Sequence, residues 1–79
     1  MALYTYDEEA DALYILLAPE PDAEIERTLE LGERLHVDVG ADGRLVGVEI
    51  LYPSLGDVDL EPLRERYGLE LNLPFRFAA

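Results

Sequence analysis

Alternating apolar and polar residues along this chain predict a β-sheet. Residues 2–6 and 12–18 are rich in tyrosine, leucine and isoleucine, which favour strands, and the acidic residues 7–11 between them are typical of a turn. The second of these segments is apolar at every position from Ala12 to Leu17, so both of its faces need cover. We expect a helix to cover one face, and another subunit is a candidate for the other.

A half-exposed strand is predicted next, over residues 23–31. Pro19 and Pro21 end the preceding strand, because proline cannot continue a central ladder. One side of the new strand is mostly apolar, with only Arg27 interrupting it, and comprises Ala23, Ile25, Leu29 and Leu31. The other side is a polar row that faces water and comprises Glu24, Glu26, Thr28 and Glu30.

The clearest local pattern is a hairpin over residues 34–51. Asp42-Gly43 is a strong signal for a two-residue turn, because both positions favour positive φ. Folding about this turn predicts the pairs Val39–Val46, Val37–Val48 and Leu35–Ile50. All of these residues are apolar and share one face, so the register agrees with the pattern and predicts a buried side.

After Pro53 the pattern changes to that of a short helix. Asp59 can cap a helix over residues 60–67, and Gly68 can end it in the left-handed conformation. Residues 69–73 alternate again and predict a final strand, followed by a tail that packs either on its own sheet or on a neighbouring subunit. The chain is thus predicted to be a single α+β domain over residues 1–79. Its expected architecture is an antiparallel β-meander of about four to six strands with one short C-terminal helix packed on the sheet.

Charge restricts the classes of partner. The chain has 18 acidic and 6 basic residues and a net charge of −12. Such a surface repels phosphate backbones and anionic lipids, so we expect no direct binding of nucleic acid or membrane, and it attracts basic proteins and cations. Cysteine is absent, which excludes disulfides and thiolate sites, and no signal-peptide pattern begins the chain; both favour the cytoplasm. The lack of glutamine favours a thermophilic source.

Two segments stand out together: the tyrosine–aspartate opening over residues 6–15, and the Asp-Gly hairpin over residues 37–51, which ends in Gly-Val-Glu-Ile-Leu. Together they resemble a family of short prokaryotic proteins, the domain of unknown function DUF2283. The resemblance covers residues 2–52, and residues 53–79 extend beyond the usual short form. It implies no established activity. Some members look as though they are encoded beside small toxin-like proteins, which implies an antitoxin-like or partner-binding role.

Few residues here are candidates for chemistry. His36 and Asp38 point to one face of the predicted hairpin, with Glu49 across from them, and this trio is a weak candidate for a divalent metal site. The alternative is a surface imidazole beside a cross-strand carboxylate. Asp7 and Asp11 flank a turn, and capping of that turn explains them without general acid–base catalysis. No catalytic residue and no cofactor is predicted.

Gly47 lies in the middle of a strand on the face opposite the buried side. A glycine at such a position lets another group approach the backbone closely. That group could be a ligand, a ring such as that of Tyr14, or a partner chain, and plain packing is the favoured interpretation.

Three functional hypotheses follow. The first is a protein-binding module in which the acidic row, with Glu24, Glu26 and Glu30 at its centre, meets a basic partner. The second is a metal-dependent or acid–base enzyme that uses His36 and nearby carboxylates. The third is a homo-oligomer, at least a dimer, that buries the second face of the strand at residues 12–17. The first and third are compatible, and we expect no enzymatic activity.

Overall fold

The computed structural model of the protein describes residues 3–18, 24–56 and 58–71. These residues form one antiparallel sheet, a short 3₁₀ turn at Pro53–Leu55 and one α-helix. The elements in chain order are β1 (Leu3–Asp7), β2 (Ala12–Leu16), β3 (Arg27–Gly32), β4 (Leu35–Val39), β5 (Leu45–Leu51) and α1 (Glu61–Tyr67).

The strands lie in the order β1-β2-β5-β4-β3, and every neighbouring pair is antiparallel. Strands β3, β4 and β5 form a continuous meander, and the hairpin of β1 and β2 joins it along β5. This arrangement confirms the predicted α+β class, with a small antiparallel sheet and one short helix near its C-terminal end. It places β1 and β3 at the two edges of the sheet.

The central hairpin has the predicted faces but a longer turn. Leu35 pairs with Ile50 and Val37 with Val48, as the pattern predicts. Val39 faces Leu45 instead of Val46, because the register shifts between Asp38 and Val39. The predicted Val39–Val46 pair is therefore wrong, although both side chains are buried. The connection is closed by hydrogen bonds from the N–H of Gly40 to the carbonyl of Arg44 and from the N–H of Gly43 to the carbonyl of Gly40 (2.9 and 3.0 Å).

One side of the sheet, the covered face, forms the core with α1. Helix α1 packs against β3 and contributes Leu63, which has no exposed surface. Leu63 shares one buried cluster with apolar side chains of β2, β4 and β5. The buried cluster comprises Leu13, Ile15, Leu35, Val37, Val39, Val48, Ile50 and Leu63.

The helix begins and ends near the predicted residues. Asp59 accepts a hydrogen bond from the N–H of Glu61 (3.0 Å), and Gly68 ends the helix at φ 65°. At seven residues α1 is too short for a membrane span, and no other helix in the described ranges has the length and hydropathy of one. Residues 69–71 do not form the start of the predicted final strand, and residues 72–79 lie outside the described residues.

The strand predicted over residues 23–31 forms over a shorter stretch. It begins at Arg27, residues 24–26 lead into it, and residue 23 lies outside the described ranges. The alternation holds within the strand. Thr28 faces Asp38 and Glu30 faces His36 on one side of the sheet, while Leu29 faces Val37 on the covered face.

Candidate functional site

The side of the sheet opposite the core, which we call the open face, gathers most of the sequence-predicted site residues. Strand register places two neighbouring rows of side-chain positions there. One row comprises Thr5, Tyr14, Glu49, His36 and Glu30, and the adjacent row comprises Leu16, Gly47, Asp38 and Thr28. These two rows carry three carboxylates, one imidazole and a central tyrosine, and neither row contains an arginine.

Gly47 makes room for the ring of Tyr14. A Cβ atom added at Gly47 would overlap the phenol of Tyr14, so the ring lies directly over the glycine. From there the Tyr14 hydroxyl donates a hydrogen bond to Oδ2 of Asp38 (2.8 Å), while the Thr28 hydroxyl donates to Oδ1. One aspartate therefore links β2, β4 and β3 across the glycine of β5. Of the groups considered for Gly47, the Tyr14 ring is the one in contact.

The surroundings of Tyr14 keep its hydroxyl protonated. Burial raises the pKa of Tyr14, and the hydrogen bond to Asp38 and the negative charges of Asp38 and Glu49 raise it further. A phenol held neutral in this way acts as a hydrogen-bond donor and an aromatic surface.

His36 is beside Glu49, as the hairpin register predicts. Its Nδ1 lies 3.5 Å from Oε1 of Glu49, and both side chains are partly exposed. Asp38, the third member of the candidate metal trio, accepts hydrogen bonds from Tyr14 and Thr28 through both of its oxygens. Across residues 3–18, 24–56 and 58–71, no group of three or more histidine, cysteine, aspartate or glutamate residues is placed to hold a metal ion. The metal-binding alternative gains no support from this geometry.

The predicted partner-binding glutamates lie along β3 and its approach. Glu24, Glu26 and Glu30 are all exposed, and Glu30 faces His36 on the open face. The N–H of Glu26 donates to the carbonyl of Val39 (2.8 Å), which fixes the approach of the chain to β3. Glu24, Ile25 and Glu26 also line a shallow depression with Ala41. The acidic surface of the open face therefore continues past the start of β3.

A protein-family model described as "Protein of unknown function (DUF2283)" matches residues 3–54, more than half of the chain. The chain belongs to the DUF2283 family. The matched region holds all five strands and therefore the whole open face, whereas α1 lies outside it. No curated protein and no solved structure matches the chain.

A second cluster of hydrogen bonds connects the β1–β2 turn to the 3₁₀ turn at the end of the DUF2283 region. Asp7 accepts hydrogen bonds from the N–H groups of Glu9 and Ala10 (3.0 and 3.3 Å), which is the predicted turn-capping role. Asp11 accepts from the hydroxyl of Tyr6 (2.8 Å) and from the hydroxyl of Ser54. The two aspartates thus have separate structural partners, and Asp11 ties the β1–β2 turn to the 3₁₀ turn.

The hydrogen bonds to Asp11 give it a pH-dependent effect on stability. The Ser54 hydroxyl, followed by that of Tyr6, lowers the pKa of Asp11 below its usual value. A carboxyl group with a lowered pKa in the folded state adds stability above its unfolded pKa of about 3.9 and loses that contribution as the pH falls through its folded pKa.

Replacing Ser54 with alanine should therefore destabilise the protein more at about pH 7 than at about pH 3. Urea unfolding of the wild type and of Ser54→Ala at both pH values measures the difference. Ser54→Thr, which keeps the hydroxyl, is the matched control and should retain the wild-type pH dependence. An equal cost of Ser54→Ala at both pH values would contradict the link between Ser54 and Asp11.

Arg34 is a residue that the sequence pattern does not reveal. Its Nε donates to the carbonyl of Leu51 (3.0 Å), and its Nη2 donates to the carbonyls of Tyr52 and Gly56, the latter at 3.0 Å. Tyr52 has φ 53°, a conformation that is costly for a bulky residue, and its N–H donates to the carbonyl of Asp11 (2.7 Å). Arg34 thus fixes the strained backbone of Tyr52, directly after β5, and stabilises this end of the sheet.

Because Tyr14 packs on Gly47, we expect substitutions at the two positions to have coupled effects on stability. Gly47→Ala should displace the Tyr14 ring, break its hydrogen bond to Asp38 and lower the free energy of unfolding by about 1–3 kcal/mol. In a Tyr14→Ala background the same change should cost less than about 0.5 kcal/mol or stabilise the protein, because alanine is favoured over glycine in a strand. Urea unfolding of the four proteins in this cycle measures the coupling. Additive effects would show that the ring does not depend on Gly47.

Proposed function

We propose that this DUF2283 protein is a protein-binding module whose open face receives a basic partner. The observation that carries the proposal is that α1 covers one side of the sheet only. The other side presents Glu30, Asp38 and Glu49 on neighbouring strands around the half-buried ring of Tyr14. Tyrosine is enriched at protein interfaces, and a group of carboxylates around it complements a partner of opposite charge.

Charge favours a basic partner over other classes. The chain has a net charge of −12, and neither open-face row contains an arginine. Arg27 lies within β3, but its register opposite Val39 places it on the other side of the sheet. Arg34 bonds to backbone carbonyls, and Arg44 lies 3.6 Å from Asp42 in the hairpin turn. Complementary charge accelerates association and discriminates against acidic partners. Tyr14 adds an aromatic surface on which an arginine or lysine of the partner can pack.

The proposal is tested by capture from a lysate of the source cells with three baits. The first bait is the wild-type chain, and the second carries Glu30→Gln and Glu49→Gln on the open face. The third carries Glu65→Gln and Glu70→Gln, two exposed residues on and after α1, so its net charge equals that of the second. We expect basic proteins to be captured by the wild-type chain and by the Glu65→Gln/Glu70→Gln control, and not by the Glu30→Gln/Glu49→Gln variant.

Two results would contradict the proposal. Captured proteins no more basic than the background would remove the charge argument. Equal losses by the second and third baits would show that total charge matters and that the open face does not. We also propose that the chain forms a dimer or a higher oligomer. Light scattering of the wild-type chain would then give a mass larger than that of one chain, and the mass of a single chain would contradict self-association.

An antitoxin-like role is the more specific form of this proposal, and the captured protein would identify it. A captured basic protein that arrests growth when expressed alone, and not when it is co-expressed with this chain, would be the expected result. The proposal assigns no catalysis to the open face, because its tyrosine stays protonated and its aspartate is occupied by two hydroxyl groups.

A further inference from the structure

Strand β3 is an edge of the sheet that borders the open face. In the described part of the chain it pairs with β4 alone, so the backbone groups on its outer side have no strand partner there. An edge of this kind is a template for another extended chain unless the sequence guards it. The exposed charges of Arg27 and Glu30 guard this edge, whereas no proline interrupts Arg27–Gly32 and the irregular register comes only at its end, between Glu30 and Gly32. The edge therefore selects a partner by charge.

In β3 and in residues 24–26, which precede it, acidic and apolar side chains lie on opposite sides of the strand. This alternation specifies which segment could pair with β3. Glu26, Thr28 and Glu30 follow at every second position, which places the two glutamates about 13 Å apart along the strand. Apolar surface lies at both ends of the segment. Ile25 is 49% exposed at one end, and Leu31 lines a depression with Val58 and Pro62 at the other.

This pattern disfavours pairing of β3 with a second copy of itself. In an antiparallel pair centred on Thr28, Glu26 of each copy would face Glu30 of the other. Like charges directly opposite each other on neighbouring strands are destabilising. A strand with arginine or lysine at those positions would reverse the sign of both contacts.

We infer that the basic partner binds as an added strand along the outer edge of β3. Its basic side chains lie beside Glu26 and Glu30, and the intervening apolar side chains lie toward Ile25 and the depression at Leu31. Backbone hydrogen bonds hold the added strand, and the alternating side chains select it. This inference rests on the proposed function and specifies the class of partner: a basic segment in extended conformation, with apolar residues at alternate positions.

Three synthetic peptides test the inference against the full chain. All have the alternating sequence Arg-Val-Arg-Val-Arg-Val-Arg; the first is unmodified, and the second and third are N-methylated at alternate amides so that one edge or the other cannot donate hydrogen bonds. The peptides have the same charge and side chains, so only strand pairing distinguishes them. Calorimetric titration at low salt should show binding of the first peptide and a loss of about tenfold or more for the peptide whose pairing edge is blocked.

Each outcome separates the inference from the proposed function. Equal affinity for all three peptides would overturn strand addition, and the acidic face would then bind basic groups without strand pairing. Binding of none of the peptides would contradict both the strand addition and the proposed function. Hydrogen exchange locates the contact: amides of β3 should gain protection in the complex, and protection confined to β1, the other edge, would overturn the assignment to β3.

Charge variants of the protein test the same edge with the peptide left unchanged. Glu26→Gln with Glu30→Gln should weaken binding of the unmodified peptide by about threefold to tenfold more than the matched pair Glu65→Gln with Glu70→Gln. The substituted residues are exposed, so both variants should fold. Equal effects of the two variants would contradict the proposed contacts with Glu26 and Glu30.

Discussion

Replacement of Leu63 by alanine should lower the free energy of unfolding by about 2–5 kcal/mol. Leu63 has no exposed surface and lies in the same buried cluster as the core residues of β2, β4 and β5. Removing most of its side chain loses apolar burial and leaves a cavity at the contact between helix and sheet. A domain of this size has a total stability of about 5–10 kcal/mol, so this one change removes a large share of it.

Thermal unfolding monitored by circular dichroism measures this effect, and a fall in Tm of about 10–30 °C corresponds to it. Leu55→Ala is the matched control, because Leu55 is 71% exposed in the 3₁₀ turn. We expect the control to change the free energy of unfolding by less than about 0.5 kcal/mol. Similar effects of the two substitutions would show that α1 does not cover the sheet.

Arg34→Ala should cost about 2–4 kcal/mol, even though arginine is usually a surface residue. The substitution removes charge-assisted hydrogen bonds to the carbonyls of Leu51, Tyr52 and Gly56 and leaves the left-handed backbone of Tyr52 without this support. Arg34→Lys should restore less than half of the loss, because an ammonium group lacks the planar fork that reaches several carbonyls at once.

Urea unfolding of both variants, with Arg44→Ala as the control, measures this prediction. Arg44 is exposed and lies 3.6 Å from Asp42, a surface pair worth about 0–1 kcal/mol. Full stability in Arg34→Lys would show that only positive charge is needed at this position, and an effect of Arg34→Ala no larger than that of Arg44→Ala would remove the structural role altogether.

The elements that depend on local patterns could be predicted from the sequence. The central hairpin is predictable from local sequence, because apolar residues alternate on both sides of a turn signal: Leu35, Val37, Val48 and Ile50. The helix is bounded by Asp59 and Gly68, and both residues act at its ends. Short-range physical rules suffice where the interacting residues are close in sequence.

Features that depend on distant contacts could not be predicted in the same way. The shift that places Val39 opposite Leu45 follows from the longer turn, and apolar alternation alone does not specify it. The role of Arg34 cannot be predicted from the sequence, because its acceptors are backbone carbonyls, which have no sequence signature. The link between Asp11 and Ser54 joins residues 43 positions apart and depends on where the 3₁₀ turn packs.

The candidate site could be predicted in part. The hairpin register placed His36, Asp38 and Glu49 on one face, and the glycine at position 47 indicated that another group comes close to the backbone. Sequence did not show that Asp38 is occupied by Tyr14 and Thr28, since that contact depends on the order of the strands in the sheet. It also did not identify β3 as an edge, which is a property of the complete sheet.

The position of the binding surface is tested most directly by nuclear magnetic resonance of the isotope-labelled full chain during titration with the alternating arginine–valine peptide. Amide signals of β3 and of the open-face residues on β4 and β5, including Asp38 and Glu49, should shift and saturate, while those at the C-terminal end of α1, away from the depression at Pro62, change least. Shifts centred on α1 would contradict the account, and so would a spectrum that the peptide leaves unchanged.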